Sequence, residues 1–180
     1  MTNTEAAWIA GVIDGDGCLQ ILENRPNKSA GGINPTFEAT VSVTNTDSRI
    51  TDKCHRLADG CVIGPVGRGK PGVWKPAYRW EVKRQKAGAL LHAVLPYLVS
   101  KRDQAVILLR LISIIKPGSV AGNRGVIQHT VEQISQRREL RLAIKALNHR
   151  GGSTIPEELA SALLRIRSLL GLVEERGILG

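Results

Sequence analysis

The chain is organised around the stretch WIAGVIDGDG, residues 8–17, an apolar segment that ends in two aspartates, each followed by a glycine. Immediately upstream, Thr2 is followed three residues later by Glu5, a capping-box pattern that predicts a helix beginning near Asn3. Taken alone, this composition also fits a buried N-terminal helix followed by a polar turn. Either way, an acidic end to the first helix is expected.

Small residues mark one side of this predicted helix, because Ala7, Gly11 and Gly15 recur every four positions. Each glycine inside a helix costs about 1 kcal/mol relative to alanine, so the stripe predicts close approach of a second helix. That helix is either another part of the same chain or the same helix of a second copy. Gly17 is expected to end the helix in the left-handed conformation, which leaves Asp16 at the helix C-terminus, where a nearby cation is expected.

Composition favours a folded DNA-binding protein. The 180 residues carry 25 Lys and Arg against 16 Asp and Glu, a net charge of +9, which predicts a polyanionic partner. Aromatic residues make up only 3% of the chain, so platforms for stacking single-stranded bases are scarce. Duplex DNA is therefore the favoured partner, with neither a membrane nor a small-molecule cofactor expected.

The cysteine content and the N-terminal sequence indicate the cellular compartment of the protein. Cys18, Cys54 and Cys61 are odd in number and form no CxxC pair, which favours a reducing intracellular compartment. The N-terminus lacks a secretory signal pattern, and the longest apolar run, residues 105–115, is too short to span a bilayer. We therefore expect an intracellular protein that is not secreted.

Periodicity predicts an α+β fold with strands at residues 18–22, 36–45, 61–66 and 77–83. The strand at 36–45 alternates strictly, with Phe37, Ala39, Val41 and Val43 on the buried face and hydroxyls and Glu38 on the other. For 77–83 the pattern places Trp80 inward and Arg79, Glu81 and Lys83 outward, although a bulge after Pro76 would reverse this facing.

Helices are predicted at residues 47–58, 85–98 and 101–116, and two more at 126–148 and 156–176. The fourth of these carries a basic cluster, for which a solvated helix face is the favoured interpretation: Arg137, Arg138, Arg141 and Lys145. Bracing of the sheet, extension of a DNA contact and packing on a partner all remain open for this C-terminal region.

The stretch at residues 8–17 resembles the signature of the LAGLIDADG homing endonucleases, with Ile9 and Val12 in place of the two leucines and Gly15 in place of the second alanine. The resemblance implies an αββαββα core over residues 1–118 with a four-stranded antiparallel sheet saddle. Residues 119–180 would form a C-terminal helical extension packed on that core. Because the chain holds one motif and no repeat, a homodimer is expected. Its interface would be formed by Ala7, Trp8, Gly11, Val12, Asp14 and Gly15.

The same resemblance assigns four catalytic residues: Asp16, Asn45, Arg49 and Lys101. Asp16 and the backbone carbonyl of Gly15 would bind Mg²⁺, with Mn²⁺ expected to substitute and Ca²⁺ to bind without supporting cleavage. Asn45 stands where single-motif relatives have a water-positioning glutamine. Arg49 and Lys101 supply cations for the charge that develops on the scissile phosphate.

These assignments predict a site-specific endonuclease, of the kind involved in intron or intein mobility, that cuts both strands of a pseudo-palindromic duplex. The sheet would enter the major groove, with contacts from Gln20, Asn27, Lys28, Glu38, Thr40, Ser42, Thr44, Arg68, Lys70, Arg79 and Lys83. Two alternatives remain open on the same fold. One is a DNA-binding regulator that does not cleave, and the other is an RNA-binding maturase that assists intron splicing.

Overall fold

A computed structural model describes residues 1–26, 29, 33–66, 75–115, 129–149 and 154–172. Within these ranges a short 3₁₀ turn, Leu95–Tyr97, separates the third helix from the fourth. The elements, in chain order, are α1 (Asn3–Asp16), β1 (Gly17–Asn24), β2 (Thr36–Asn45), α2 (Ser48–Ala58), β3 (Cys61–Val66), β4 (Ala77–Lys83), α3 (Arg84–Val94), α4 (Arg102–Ile114), α5 (Val131–Leu147) and α6 (Glu157–Leu170).

The four strands form one antiparallel sheet in the order β1-β2-β4-β3. Across its centre Leu19 pairs with Val41, and Val43 pairs with Trp80. All four of these side chains are fully buried on the face that the helices cover. This confirms the predicted α+β fold, and the buried Trp80 confirms the predicted facing of the fourth strand.

Helix starts follow the capping signals in the sequence. The Glu5 backbone N–H donates to Thr2 Oγ1 at 3.3 Å, and the Thr2 N–H donates to the Glu5 carboxylate at 2.7 Å, so the predicted capping box is present. Helix α5 begins at Val131, later than expected, because Thr130 and Gln133 form a second capping box. The predicted start of that helix at residues 126–128 lies outside the described residues.

Three predicted helix ends are wrong. Gly17 is extended, with φ −78° and ψ 156°, and the chain runs directly from α1 into β1. A glycine is nevertheless needed there, because a Cβ would lie 2.7 Å from Ile13 Cα. Helix α3 ends at Val94, since Pro96 removes a backbone donor and disfavours helical geometry before it. Helix α6 ends at Leu170 and is capped by left-handed Gly171, so the predicted continuation of the helix through residues 171 and 172 is wrong. Residues 173–176 of the predicted helix lie outside the described residues.

Helix α5 lies along the edge strand β1. The Asn148 side-chain amide donates to the backbone carbonyl of Leu19 at 2.7 Å, and Arg138 and Arg141 approach the Glu23 carboxylate at 2.9 and 3.6 Å. Arg137 is only 4% exposed. The predicted solvated face is therefore wrong for Arg137, which is buried. Arg138 and Lys145 are exposed, as predicted, and Arg141 is half-buried beside the sheet edge.

Helix α6 packs on α5, and Arg167 binds Asp103 of α4 at 2.8 Å. The division into a core at 1–118 and an extension at 119–180 stays a prediction, because its boundary falls outside the described residues. Among the described helices, none combines the length and apolar composition that crossing a membrane requires.

Candidate active site

Asp16 is the last residue of α1, and its exposed carboxylate lies beside the end of β2. The pairing of β1 with β2 sets Gly17 opposite Val43 and so brings the two element ends together. There the Asn45 side-chain amide donates to Asp16 Oδ2 at 2.7 Å. Asn45 therefore contacts the predicted metal ligand directly.

Asp47 fixes the orientation of that amide. Its backbone N–H donates to Asn45 Oδ1 at 2.8 Å, so the NH₂ group of Asn45 is the side that faces Asp16. For the helix at residues 47–58 the sequence leaves the cap open between Thr46 and Asp47, and the structure shows that Asp47 is the cap. Its second role was missed, and the only sequence signal for it is its position two residues after Asn45.

Arg49 is held by the same residue. Its Nε donates to both Asp47 oxygens at 2.9 and 3.0 Å, and its backbone N–H donates to Asp47 Oδ1 at 3.0 Å. These bonds to a cation stabilise the ionised carboxyl and lower the pKa of Asp47. Asp47 thus links a candidate catalytic cation to the pair formed by Asn45 and Asp16.

Asp14, two residues before Asp16 on α1, forms hydrogen bonds with Lys101 and the two residues before it. The Asp14 carboxylate accepts the backbone N–H groups of Val99 and Lys101 at 2.8 and 2.9 Å and the Ser100 hydroxyl at 3.0 Å. The Lys101 ammonium donates to the backbone carbonyl of Asp14. Asp14 therefore fixes the turn that precedes α4, and with it the position of Lys101.

The donor set fits Mg²⁺. Asn45 occupies only one oxygen of the exposed Asp16 carboxylate, and the described residues contain no group of three or more His, Cys, Asp or Glu side chains suited to a metal. A closed zinc shell is therefore not formed by those residues. Mg²⁺ retains several waters and needs few protein oxygens, so Asp16 with the carbonyl of Gly15 is a sufficient protein contribution.

All seven predicted DNA contacts that the structure describes lie on the outer face of the sheet. Gln20, Glu38, Arg79 and Lys83 are half-buried and Thr44 is exposed. Thr40 and Ser42 are 0% and 4% exposed, so in the free chain they lie beneath longer neighbours. The remaining predicted contacts lie outside the described residues: Asn27, Lys28, Arg68 and Lys70.

Two carboxylates hold the cations of this face, an arrangement that the sequence analysis missed. Glu81 bridges Arg79 at 3.4 Å and Lys83 at 2.9 Å, while Glu38 bridges Lys83 at 3.7 Å and Arg84 at 2.7 Å. The hydrogen bond from Lys83 to Glu81 raises the pKa of Lys83. The alternating pattern of β4 was the available signal, because it places Arg79, Glu81 and Lys83 side by side.

The small-residue stripe of α1 faces outward. Ala7, Gly11 and Gly15 are exposed, and among the described residues no atom lies within 4 Å of a Cβ built at Gly11 or Gly15. The adjoining Trp8 and Val12 are half-buried. The stripe therefore does not pack against the described part of its own chain, which leaves the face open to another molecule.

Comparison with known proteins gives matches at the level of structure. No protein-family model and no curated protein sequence matches the chain. The homing endonuclease I-CvuI, solved with the I-CreI target in the presence of Mg²⁺, is similar with a TM-score of 0.60 at 19% identity, over 94% of this chain and 96% of that chain. The archaeal intron-encoded homing endonuclease I-Vdi141I, complexed with DNA, is similar with a TM-score of 0.62 at 14% identity, over 95% and 99% of the two chains.

A longer neighbour matches over part of its length. The LAGLIDADG homing endonuclease I-SmaMI, bound to cleaved DNA, is similar with a TM-score of 0.53 at 16% identity, over 89% of this chain but 48% of that chain. These likenesses agree with the predicted α+β fold. The chain has the fold of the LAGLIDADG homing endonucleases.

Proposed function

We propose that this chain is a site-specific endonuclease that acts on double-stranded DNA as a homodimer and uses a divalent metal ion. The observation that carries the proposal is the pair formed by Asp16 and Asn45, a carboxylate held at 2.7 Å by an oriented amide. It lies at the end of a helix whose small-residue face is exposed. One such site in each of two chains would serve the two strands of a duplex.

The homodimer is supported by the open face of α1 and by the extent of the matches to solved structures. Gly11 and Gly15 permit close approach of a second helix, and a Cβ built at either glycine meets no described atom within 4 Å beyond its own helix. The chain covers 96% of I-CvuI but only 48% of I-SmaMI, so it corresponds to about half of the longer neighbour. Two copies paired through α1 would bring two Asp16 side chains together across a two-fold axis.

In the mechanism that we propose, Asp16 and the Gly15 carbonyl would hold a divalent metal ion, which would supply positive charge for phosphate binding and for activation of a water molecule. Asn45 orients Asp16 by hydrogen bonding to its Oδ2. Arg49 and Lys101 lie against acceptors of their own chain, the Asp47 carboxylate and the Asp14 carbonyl. On DNA, Lys101 would turn to the scissile phosphate, while Arg49, still held by Asp47 through its Nε, would present its remaining guanidinium donors to that phosphate. Both cations would stabilise the developing negative charge.

The test uses the purified chain and a randomised pool of duplex DNA, with Mg²⁺ and then with Ca²⁺. Staggered double-strand ends at a near-palindromic site, formed with Mg²⁺ and not with Ca²⁺, are the expected result. Asp16→Asn should keep DNA binding and lose cleavage by at least about a hundredfold, because it removes the metal ligand. Asp52→Asn on α2 is the matched control and should cut normally. Unchanged cleavage by Asp16→Asn would overturn the mechanism.

The two alternatives give different outcomes in the same assay. Sequence-selective retention of duplex DNA without cut ends in either metal would establish the non-cleaving regulator. Preference for structured intron RNA over duplex DNA would establish the maturase. The exposed and oriented Asp16 favours the endonuclease, because neither alternative needs it.

A further inference from the structure

The centre of the outer sheet face is a mixed-charge layer. It contains three cations held by two carboxylates, and the Glu38 and Glu81 side chains are only 12% and 15% exposed. We call this set of residues the charge layer: Glu38, Arg79, Glu81, Lys83 and Arg84. If this face meets DNA, two acids lie among the groups that approach a polyanion, and each of them lowers affinity for phosphate.

Buried polar atoms without partners lie in the same layer. Thr40 Oγ1 and Arg79 Nε are buried, and neither has a hydrogen-bond partner in the described structure. Thr40 faces Lys83 across the β2–β4 pairing, and the Arg79 guanidinium lies 3.5 Å from Ser42 Oγ. Unmet hydrogen-bonding capacity is costly inside a protein, so a polar ligand that contacts this face can supply partners to these two atoms.

Glu81 occupies the middle of the layer. One of its oxygens lies 2.9 Å from Lys83 Nζ, and the other lies 3.4 Å from Arg79 Nη2. A single carboxylate thereby limits the rotamers of both neighbours on β4. An arginine whose guanidinium is held in this way can direct its remaining N–H donors at a base edge. A freely moving arginine can instead bind any nearby phosphate.

We propose that Glu81 is a specificity-determining positioning residue, which holds Arg79 and Lys83 for base edges and suppresses their contacts with phosphate. This proposal rests on the proposed function. In it, Glu81 weakens the binding of the chain to DNA in general and strengthens its discrimination between DNA sequences. The ligand class is a duplex major groove with acceptor-rich base edges, such as guanine O6 and N7.

The experiment compares the native chain with Glu81→Gln on the site enriched from a randomised duplex pool and on a scrambled duplex, in Ca²⁺. For Glu81→Gln we expect about three- to tenfold tighter binding to the scrambled duplex and a salt slope steeper by about 1. The ratio of specific to non-specific affinity should fall about tenfold. Glu81→Asp keeps the charge and should retain most of the native ratio.

Glu23→Gln is the matched control. Glu23 also bridges two cations, Arg138 and Arg141, and its side chain is 19% exposed, but it pairs with α5 on the helix-covered side. It should leave the affinity ratio unchanged. The proposal would be overturned if Glu81→Gln kept the native ratio of specific to non-specific affinity, or if Glu23→Gln lowered that ratio as much as Glu81→Gln does. Failure of the native chain to enrich any duplex site would instead count against the proposed function, so the two failures are distinguishable.

Discussion

At the scale of single residues, Asp47 contacts two of the predicted catalytic residues, Asn45 and Arg49, although the sequence did not predict a catalytic role for it. Its backbone N–H orients Asn45, and its carboxylate both caps α2 and holds Arg49. These tasks are separable by mutation, because serine is as good a helix cap as aspartate but carries no charge. The candidate site therefore depends on a residue whose sequence role is only that of a cap.

Asp47→Ser should keep the free energy of unfolding within about 0.5 kcal/mol of the native value, because the α2 cap is preserved. The single-turnover cleavage rate at saturating protein should fall about tenfold, since Arg49 loses its fixed position. Urea unfolding and quench-flow cleavage measure the two quantities. A native cleavage rate would show that Asp47 is a helix cap and nothing more.

At the scale of elements, the sheet offers its own probes of DNA contact. Cys18 and Cys61 are exposed and lie on the outer face, opposite Ser42 and Glu81 in the strand pairing. Cys54 lies in the core, and burial raises the pKa of its thiol to about 11. Two of the three cysteines therefore report on the outer face, and the third reports on unfolding.

With the selected duplex bound, alkylation of Cys18 and Cys61 should slow at least about tenfold, as followed by mass spectrometry. Cys54 should react only on unfolding. Its raised pKa stabilises the fold below the ordinary thiol pKa of 9.0, and this contribution is lost as the pH rises towards 11. Unprotected Cys18 and Cys61 in a DNA complex would place the duplex on another surface.

The elements were predictable where their signals are local. Residues 36–45 and 77–83 alternate strictly, and both strands have the predicted bounds. Gly17 was misjudged because its reason is a close approach to Ile13 rather than a positive φ. The burial of Arg137 and the pairing of Arg138 with Glu23, 115 residues away, depend on long-range packing that no local pattern encodes.

At the scale of the whole molecule, the proposed homodimer makes the exposed face of α1 the surface to test. Gly11→Leu should convert the proposed dimer to a folded monomer. A Cβ at this exposed position meets nothing in the described chain beyond its own helix, and the leucine would block the close approach of a second helix. Light scattering measures the mass and circular dichroism checks the fold. Ala89→Leu, on the exposed side of α3, is the control and should stay dimeric. A Gly11→Leu protein that stays dimeric would place the interface elsewhere.

The contact between α5 and β1 has a consequence for solubility. An edge strand offers unpaired backbone groups onto which another chain can add a strand, the first step towards fibrils. Here the Asn148 side chain donates a hydrogen bond to the Leu19 carbonyl, and Arg138 and Arg141 of α5 form ion pairs with Glu23 further along the same strand. Removal of α5 would expose that edge together with apolar core residues, and the truncated chain should precipitate rather than bind DNA. By covering this edge strand, α5 should protect the chain from aggregation.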